Sequence, residues 1–156
     1  MTSIVKRPAP SALVRMGNPL VRLILVSPLH RVLDGSVLIL HVPGRESGRR
    51  YNIPVDYANM GGKLIIVTMA RWRVNLRGRT EVEVTLHGHR QPMHVVIDED
   101  PASVAVSYHA VITRIGWKKA RRQFGIALPG GPAPTVLELA DAARQYGWSV
   151  ITLSPP

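Results

Sequence analysis

Glu81-Val82-Glu83-Val84-Thr85-Leu86-His87-Gly88-His89-Arg90-Gln91-Pro92-Met93-His94-Val95-Val96-Ile97 spells out a strand, a tight turn and a returning strand. Val82, Val84 and Leu86 alternate with Glu81, Glu83 and Thr85. After His87-Gly88-His89 the alternation resumes in Met93, Val95 and Ile97. A period of two with one apolar face is the pattern of a half-buried antiparallel pair, and a glycine turn between the runs makes it a hairpin.

The neighbouring segments extend the same architecture. Asp34-Gly35 and Pro43-Gly44 bound the aliphatic run Ser36 to Val42, a short buried strand. Tyr51, Ile53, Val55 and Tyr57 alternate with Asn52, Pro54 and Asp56; Pro54 lacks a ladder donor, which puts this strand at an edge or on a bulge. Asn59-Met60-Gly61-Gly62 turns the chain into a third strand, Lys63 to Met69, and Trp148 to Leu153 reads as the last one.

Helical spacing occupies the flanks. Leu13, Met16, Leu20, Leu23 and Ile24 recur across Ser11 to Val26, broken near Gly17-Asn18-Pro19, and Ser27-Pro28 starts a short helix with Leu29, Val32 and Leu33 inward. Asp100-Pro101 opens a helix with Val104, Tyr108, Val111, Ile112 and Ile115 on one face, followed by a basic helical turn from Lys118 to Phe124. After a Pro/Gly loop, Leu128 to Pro134, Thr135 caps Val136 to Tyr146 with Leu137, Leu139, Ala140 and Ala143 inward.

About six strands in meander order, with helices before and after, imply a mainly β, α+β fold: an antiparallel barrel or curled sheet covered by helices. The expected organisation is a flexible basic arm over residues 1–10 and one domain over residues 11–156. Strands do not alternate with helices, and no Gly-x-Gly-x-x-Gly or Walker loop is present, so a doubly wound nucleotide fold is not expected.

With 156 residues, 46% of them apolar, the chain can bury one core. It has no cysteine, which removes disulfides and thiolate metal sites and makes the cytoplasm the expected location. No signal peptide or transmembrane helix is expected, because the longest apolar block near the start, Leu20 to Val26, is broken by Arg22. Sixteen Arg and four Lys against ten acids give a net charge of +10, which asks for an anionic partner: nucleic acid, acidic lipid or a phosphorylated cofactor. Trp72, Trp117, Trp148 and Phe124 are scattered, which speaks against a nucleic-acid stacking surface. Arg15, Arg22 and Arg31, with apolar neighbours, suit peripheral contact with an anionic membrane. His87, His89 and His94 lie near one another in sequence without cysteine or carboxylate partners, so surface histidines are expected and no metal.

Two segments carry candidate chemistry. Pro43-Gly44-Arg45-Glu46-Ser47-Gly48-Arg49-Arg50 joins two strands and concentrates guanidinium groups, a hydroxyl and glycines. Glycines let main-chain N–H groups converge on one centre, and each Arg offers a bidentate fork matched to phosphate. An ordinary solvated basic hairpin would use the same residues. Arg71-Trp72-Arg73-Val74-Asn75-Leu76-Arg77 directly follows a buried strand. Trp72 there can stack on a flat ring or plug the core, and Asn75 can cap the turn or bind a ligand carbonyl.

The ordered set Gly44-Arg45-x-Ser47-Gly48-Arg49-Arg50-Tyr51, Pro54-Val55, Trp72-x-x-Asn75-Leu76-Arg77-Gly78 and Val82-x-Val84 resembles the deazaflavin-dependent nitroreductase and quinone reductase family of actinobacteria. Asn18-Pro19-Leu20, Ser27-Pro28-Leu29-His30 and the C-terminal helix and strand are similar to its short members, so the resemblance spans nearly the whole chain. It implies a split β-barrel, often a homodimer, that binds reduced coenzyme F-420 and passes hydride to a hydrophobic quinone, nitro or enone-type acceptor. By position it implies that Arg45, Ser47, Gly48, Arg49 and Arg50 take the cofactor's phosphate and acidic tail. Ile53, Pro54, Val55, Thr68 and Met69 would line the ring, and Trp72 and Asn75 would close the pocket. Where many members carry a longer Ser-Lys-Gly-Gly-like loop, this chain has only Thr68-Met69-Ala70-Arg71, so flavin mononucleotide (FMN) stands as the alternative cofactor. A cofactor- or lipid-binding protein without turnover is the alternative function. Tyr51, Tyr57 and Tyr108 are the candidate proton donors for the acceptor.

Overall fold

A computed structural model describes residues 5–6, 37–124, 126–127 and 132–156. The helices expected between residues 11 and 33, and most of the Pro/Gly loop, lie outside the described residues. The strands are β1 (Val5–Lys6), β2 (Val37–Pro43), β3 (Arg50–Asp56), β4 (Ala58–Met60), β5 (Lys63–Thr68), β6 (Glu81–Leu86), β7 (His89–Asp98), β8 (Ile126–Ala127) and β9 (Ser149–Ser154). A 3₁₀ turn spans Arg71–Leu76, and the helices are α1 (Pro101–Ile115), α2 (Trp117–Phe124) and α3 (Val136–Tyr146). Within the stretch read as a basic arm, β1 pairs antiparallel with β8.

The remaining strands form one seven-stranded antiparallel sheet in the order β3-β2-β6-β7-β9-β5-β4. Its centre is the β6–β7 hairpin, with Val82 opposite Met93 and Leu86 opposite His89. His87 at φ 51° and Gly88 at φ 76° supply the two left-handed residues that a turn matching strand twist requires. Pro54 does lie on an edge strand, paired only toward Ile39 of β2.

The sheet separates two cores. Leu38, Leu40, Val42, Ile53, Leu64, Ile66, Val82, Val84, Met93, Val95, Ile151 and Leu153 fill one face, plugged by Leu76. On the other face, Ala58 and Val150 meet Val104, Tyr108, Val111, Ile112, Leu139 and Ala143 from α1 and α3. Tyr108 makes edge-on contacts with Phe124 and Trp148 there, at centroid distances of 5.6 Å.

Four details depart from the sequence reading. Asn59 and Met60, read as part of a turn, belong with Ala58 to a short strand beside β5, and the reversal falls on Gly61 and Gly62, both at positive φ, with Asn59 Oδ1 accepting the Gly62 N–H at 2.9 Å. β5 stops at Thr68, one residue before Met69. The order is not a simple meander, because the C-terminal strand β9 inserts between β7 and β5. Leu137 is 78% exposed rather than inward. Two residues from Leu139 on a helix is about 200° of rotation, so both cannot face one core; Ala142 takes the buried place instead.

Candidate functional site

The β2–β3 loop closes on itself. Gly44 N–H donates to the Arg49 carbonyl at 2.7 Å, Gly48 N–H to the Gly44 carbonyl at 3.2 Å, and Arg49 N–H to Ser47 Oγ at 3.2 Å. Gly48 sits at φ 65°, where a side chain is strained. A Cβ on Gly44 would lie 2.9 Å from Cε2 of Tyr51, so the loop packs flush on that ring. These bonds hold the loop tight and turn Arg45, Ser47, Arg49 and Arg50 to the exposed side.

The guanidinium groups of this loop differ in what they touch. Arg50 Nη1 lies 3.9 Å from Glu83, whose carboxylate already accepts Arg90 Nε at 2.9 Å and Nη2 at 2.6 Å. The Arg90 hydrogen bonds hold the Glu83 carboxyl below the usual carboxylate range. Arg49's side chain has no hydrogen-bond or ionic partner among the described residues, and Arg45's is tied through one nitrogen only.

The second segment is braced more heavily. Thr68 Oγ1 accepts the Ala70 N–H at 3.1 Å, and Arg73 Nη1 donates to the carbonyls of Met69 and Ala70, each at 2.9 Å. Glu99, between β7 and α1, accepts Arg77 Nε at 2.9 Å and Nη2 at 2.8 Å and lies 3.5 Å from Arg73 Nε. Leu76 is fully buried and Trp72 packs half-buried against the same core, which pins the turn to one end of the sheet.

The structure joins the two segments. Arg45 N–H donates to Asn75 Oδ1 at 3.1 Å, Arg45 Nη2 donates to the Arg77 carbonyl at 3.2 Å, and Arg79 Nε donates to the Asn75 carbonyl at 2.9 Å. Arg45 at the head of the loop therefore sits on Asn75 and Arg77 of the turn that carries Trp72, with Ser47, Gly48, Arg49 and Arg50 following in the same exposed loop. The remaining expected residues are arranged differently. Ile53, 1% exposed, and half-buried Val55 belong to the core bounded by Trp72, while Pro54 alternates to the opposite face with Asn52 and Asp56. Thr68 ends β5 opposite Ser149, and Met69 packs toward the helix-side core.

Of the three tyrosines considered as proton donors, Tyr51 alone is exposed, beside Gly44; Tyr57 and Tyr108 are buried, and burial pushes the Tyr108 phenol strongly up. Trp117 and Trp148 belong to the helix-side core, so the tryptophans form no common stacking surface. Arg79 and Glu99 were not singled out by sequence reasoning. Glu99 is 22 residues from Arg77, and nothing local pairs them. Arg79 had only its place in an arginine-rich stretch as a signal.

No family model matches the chain, and no curated protein does. Solved structures do match. A pyridoxamine 5′-phosphate oxidase-related, FMN-binding protein from Nostoc punctiforme superposes with a TM-score of 0.52 at 15% identity, covering 88% of this chain and 79% of that one. An F420-H2 dependent reductase matches at a TM-score of 0.45 and 13% identity, over 78% of this chain and 96% of that chain. A second F420 reductase matches at 0.43 and 16%, over 78% and 86%. The fold is a split β-barrel, an antiparallel curled half-barrel with flanking helices, shared with the Nostoc protein.

Proposed function

We propose that the chain holds a flavin-type cofactor, coenzyme F-420 with FMN as the alternative, and passes hydride from it to a hydrophobic quinone, nitro or enone-type acceptor. The observation that carries this reading is the Arg45–Asn75 hydrogen bond, which seats the phosphate-type loop on the turn bearing Trp72. The cradle suits an anion: among the described residues the Arg49 side chain has no hydrogen-bond or ionic partner, and the loop from Arg45 to Arg50 is exposed. Arg45, Arg49 and Ser47 bind the phosphate. Arg50, partly neutralised by Glu83, contributes less. On the Trp72 side of β3, Val55 flanks the ring and Ile53 reaches it only through its main chain; Thr68 meets it from the end of β5, while Pro54 and Met69 face away from that side. Trp72 covers the ring and Asn75 fixes the cover.

When bound and reduced, the cofactor supplies the hydride, and the protein's part is to bring donor and acceptor into contact and exclude water. Tyr51 stands nearest the loop to donate a proton to the acceptor. FMN is favoured as the second reading by the FMN binding of the Nostoc neighbour and by the short Thr68–Arg71 connection. The resemblance also carries a homodimer. The activity test is consumption of each reduced cofactor against menadione. Turnover with one of them supports the oxidoreductase reading, and tight binding without turnover makes the protein a carrier.

A further inference from the structure

The arginines around the 3₁₀ turn fall into two sets. Arg73 and Arg77 share Glu99, the one carboxylate that reaches the turn among the described residues, and Arg73 also binds two carbonyls. Arg77's hydrogen bonds hold the Glu99 carboxyl below its ordinary range, so that charge stays committed at neutral pH. Arg45 and Arg79 have no carboxylate partner among the described residues. Each is nevertheless held in place: Arg45 by Nη2 on the Arg77 carbonyl, Arg79 by Nε on the Asn75 carbonyl.

The local backbone explains how Arg79 arrives there. Gly78 at φ 77° reverses the chain after the turn, and Arg79 N–H donates to the Leu76 carbonyl at 3.1 Å. The side chain therefore folds back over the turn instead of extending into water. Its Nε is used, and its two terminal nitrogens have no hydrogen-bond partner among the described residues. The carbonyls that tether Arg45 and Arg79 are two residues apart, at most about 7 Å of chain. Two guanidiniums tethered to one turn, with no carboxylate partner among the described residues, can share an anion, and tethered guanidiniums lose less freedom on binding than mobile ones.

We propose that Arg79 completes, with Arg45, a two-guanidinium clamp for a phosphate-class oxyanion, while Glu99 keeps Arg73 and Arg77 out of it. The ligand class is a phosphomonoester, phosphodiester or pyrophosphate. Only the attribution of that phosphate to a flavin-type cofactor rests on the function proposed above; the clamp itself needs no ring.

The test uses the full chain and three probes: inorganic pyrophosphate by calorimetry, and FMN and coenzyme F-420 by fluorescence. Arg79→Ala is expected to weaken pyrophosphate and the bound cofactor by about tenfold or more. Arg79→Lys, which keeps the charge but not the fork, is expected to fall between Arg79→Ala and wild type. Arg144→Ala, removing the exposed partner of Asp141 on α3, is expected to bind as wild type. Because Arg79 is exposed and the Lys variant keeps its charge, a folding defect does not confound the series. Wild-type affinity in Arg79→Ala beside weakened binding in Arg45→Ala would overturn the clamp and leave the cofactor reading standing. Pyrophosphate binding that Arg79→Ala removes, in a protein that takes neither cofactor, would support the clamp and end the cofactor reading. A wild-type protein that binds none of the probes would overturn both.

Discussion

Single side chains carry the pH response. Asp56 ends β3 on the face opposite Ile53, and burial pushes its carboxyl up to about 6 from 3.8. A carboxyl whose pKa is raised on folding is best accommodated protonated. Its stability contribution is therefore full below about pH 4 and is lost as the pH rises to about 6. Asp56→Asn is expected to be about 3 kcal/mol more stable than wild type at pH 7, with the gain gone at pH 3.5, read from urea unfolding at both values. His41 behaves oppositely: burial lowers its pKa, so the ring is neutral. Its Nδ1 lies 2.6 Å from Asn52 Oδ1, which can only accept, so Nδ1–H donates and Nε2 accepts the Thr85 hydroxyl at 2.7 Å. His41→Ala leaves Asn52 and Thr85 without that partner, and a loss of about 1–3 kcal/mol is expected in the same unfolding experiment. Neither group was legible in the sequence as perturbed, since burial at positions 41 and 56 depends on the whole fold.

At the scale of elements, local signals were legible and long-range ties were not. Thr135 and Glu138 stand at capping-box spacing, and the structure shows both arms of the box: Glu138 N–H on Thr135 Oγ1 and Thr135 N–H on Glu138 Oε1, each at 3.2 Å. Thr135→Ala is expected to cost about 1 kcal/mol, measured as a lowered urea midpoint with unchanged slope. The β6–β7 hairpin was legible for the same reason, a period of two around a glycine turn. Leu137 was misassigned because apolar character alone does not give a helix its phase. The loop from Gly44 to Arg50 could be recognised because its donors are contiguous in sequence. Its docking on Asn75 crosses 30 residues, and the Glu99 brace crosses 22, so neither had a local signature.

Across the whole molecule, the sheet order places the loop and the 3₁₀ turn at one end of the half-barrel, with a core on each side to hold them. The insertion of β9 between β7 and β5 escaped the sequence because pairing partners far apart in the chain leave no periodic trace. The net charge of +10 adds a long-range field. Affinity for either anionic cofactor is therefore expected to fall as sodium chloride is raised from 0.05 to 0.5 M, about where the Debye length drops below about 5 Å. Sedimentation equilibrium is expected to give the mass of a homodimer, and a monomer mass at micromolar concentration would remove that part of the proposal. Among the described residues no helix is long and apolar enough to cross a membrane.

The central claim is that the Arg45–Arg50 loop is the phosphate seat of a flavin-type cofactor. The most direct measurement is equilibrium binding of coenzyme F-420 and FMN by fluorescence to wild type, Arg45→Ala and Arg49→Ala. The expected result is tight binding of one cofactor by wild type, weakened about tenfold or more in each variant. Binding of neither cofactor, or binding that both substitutions leave unchanged, would contradict it.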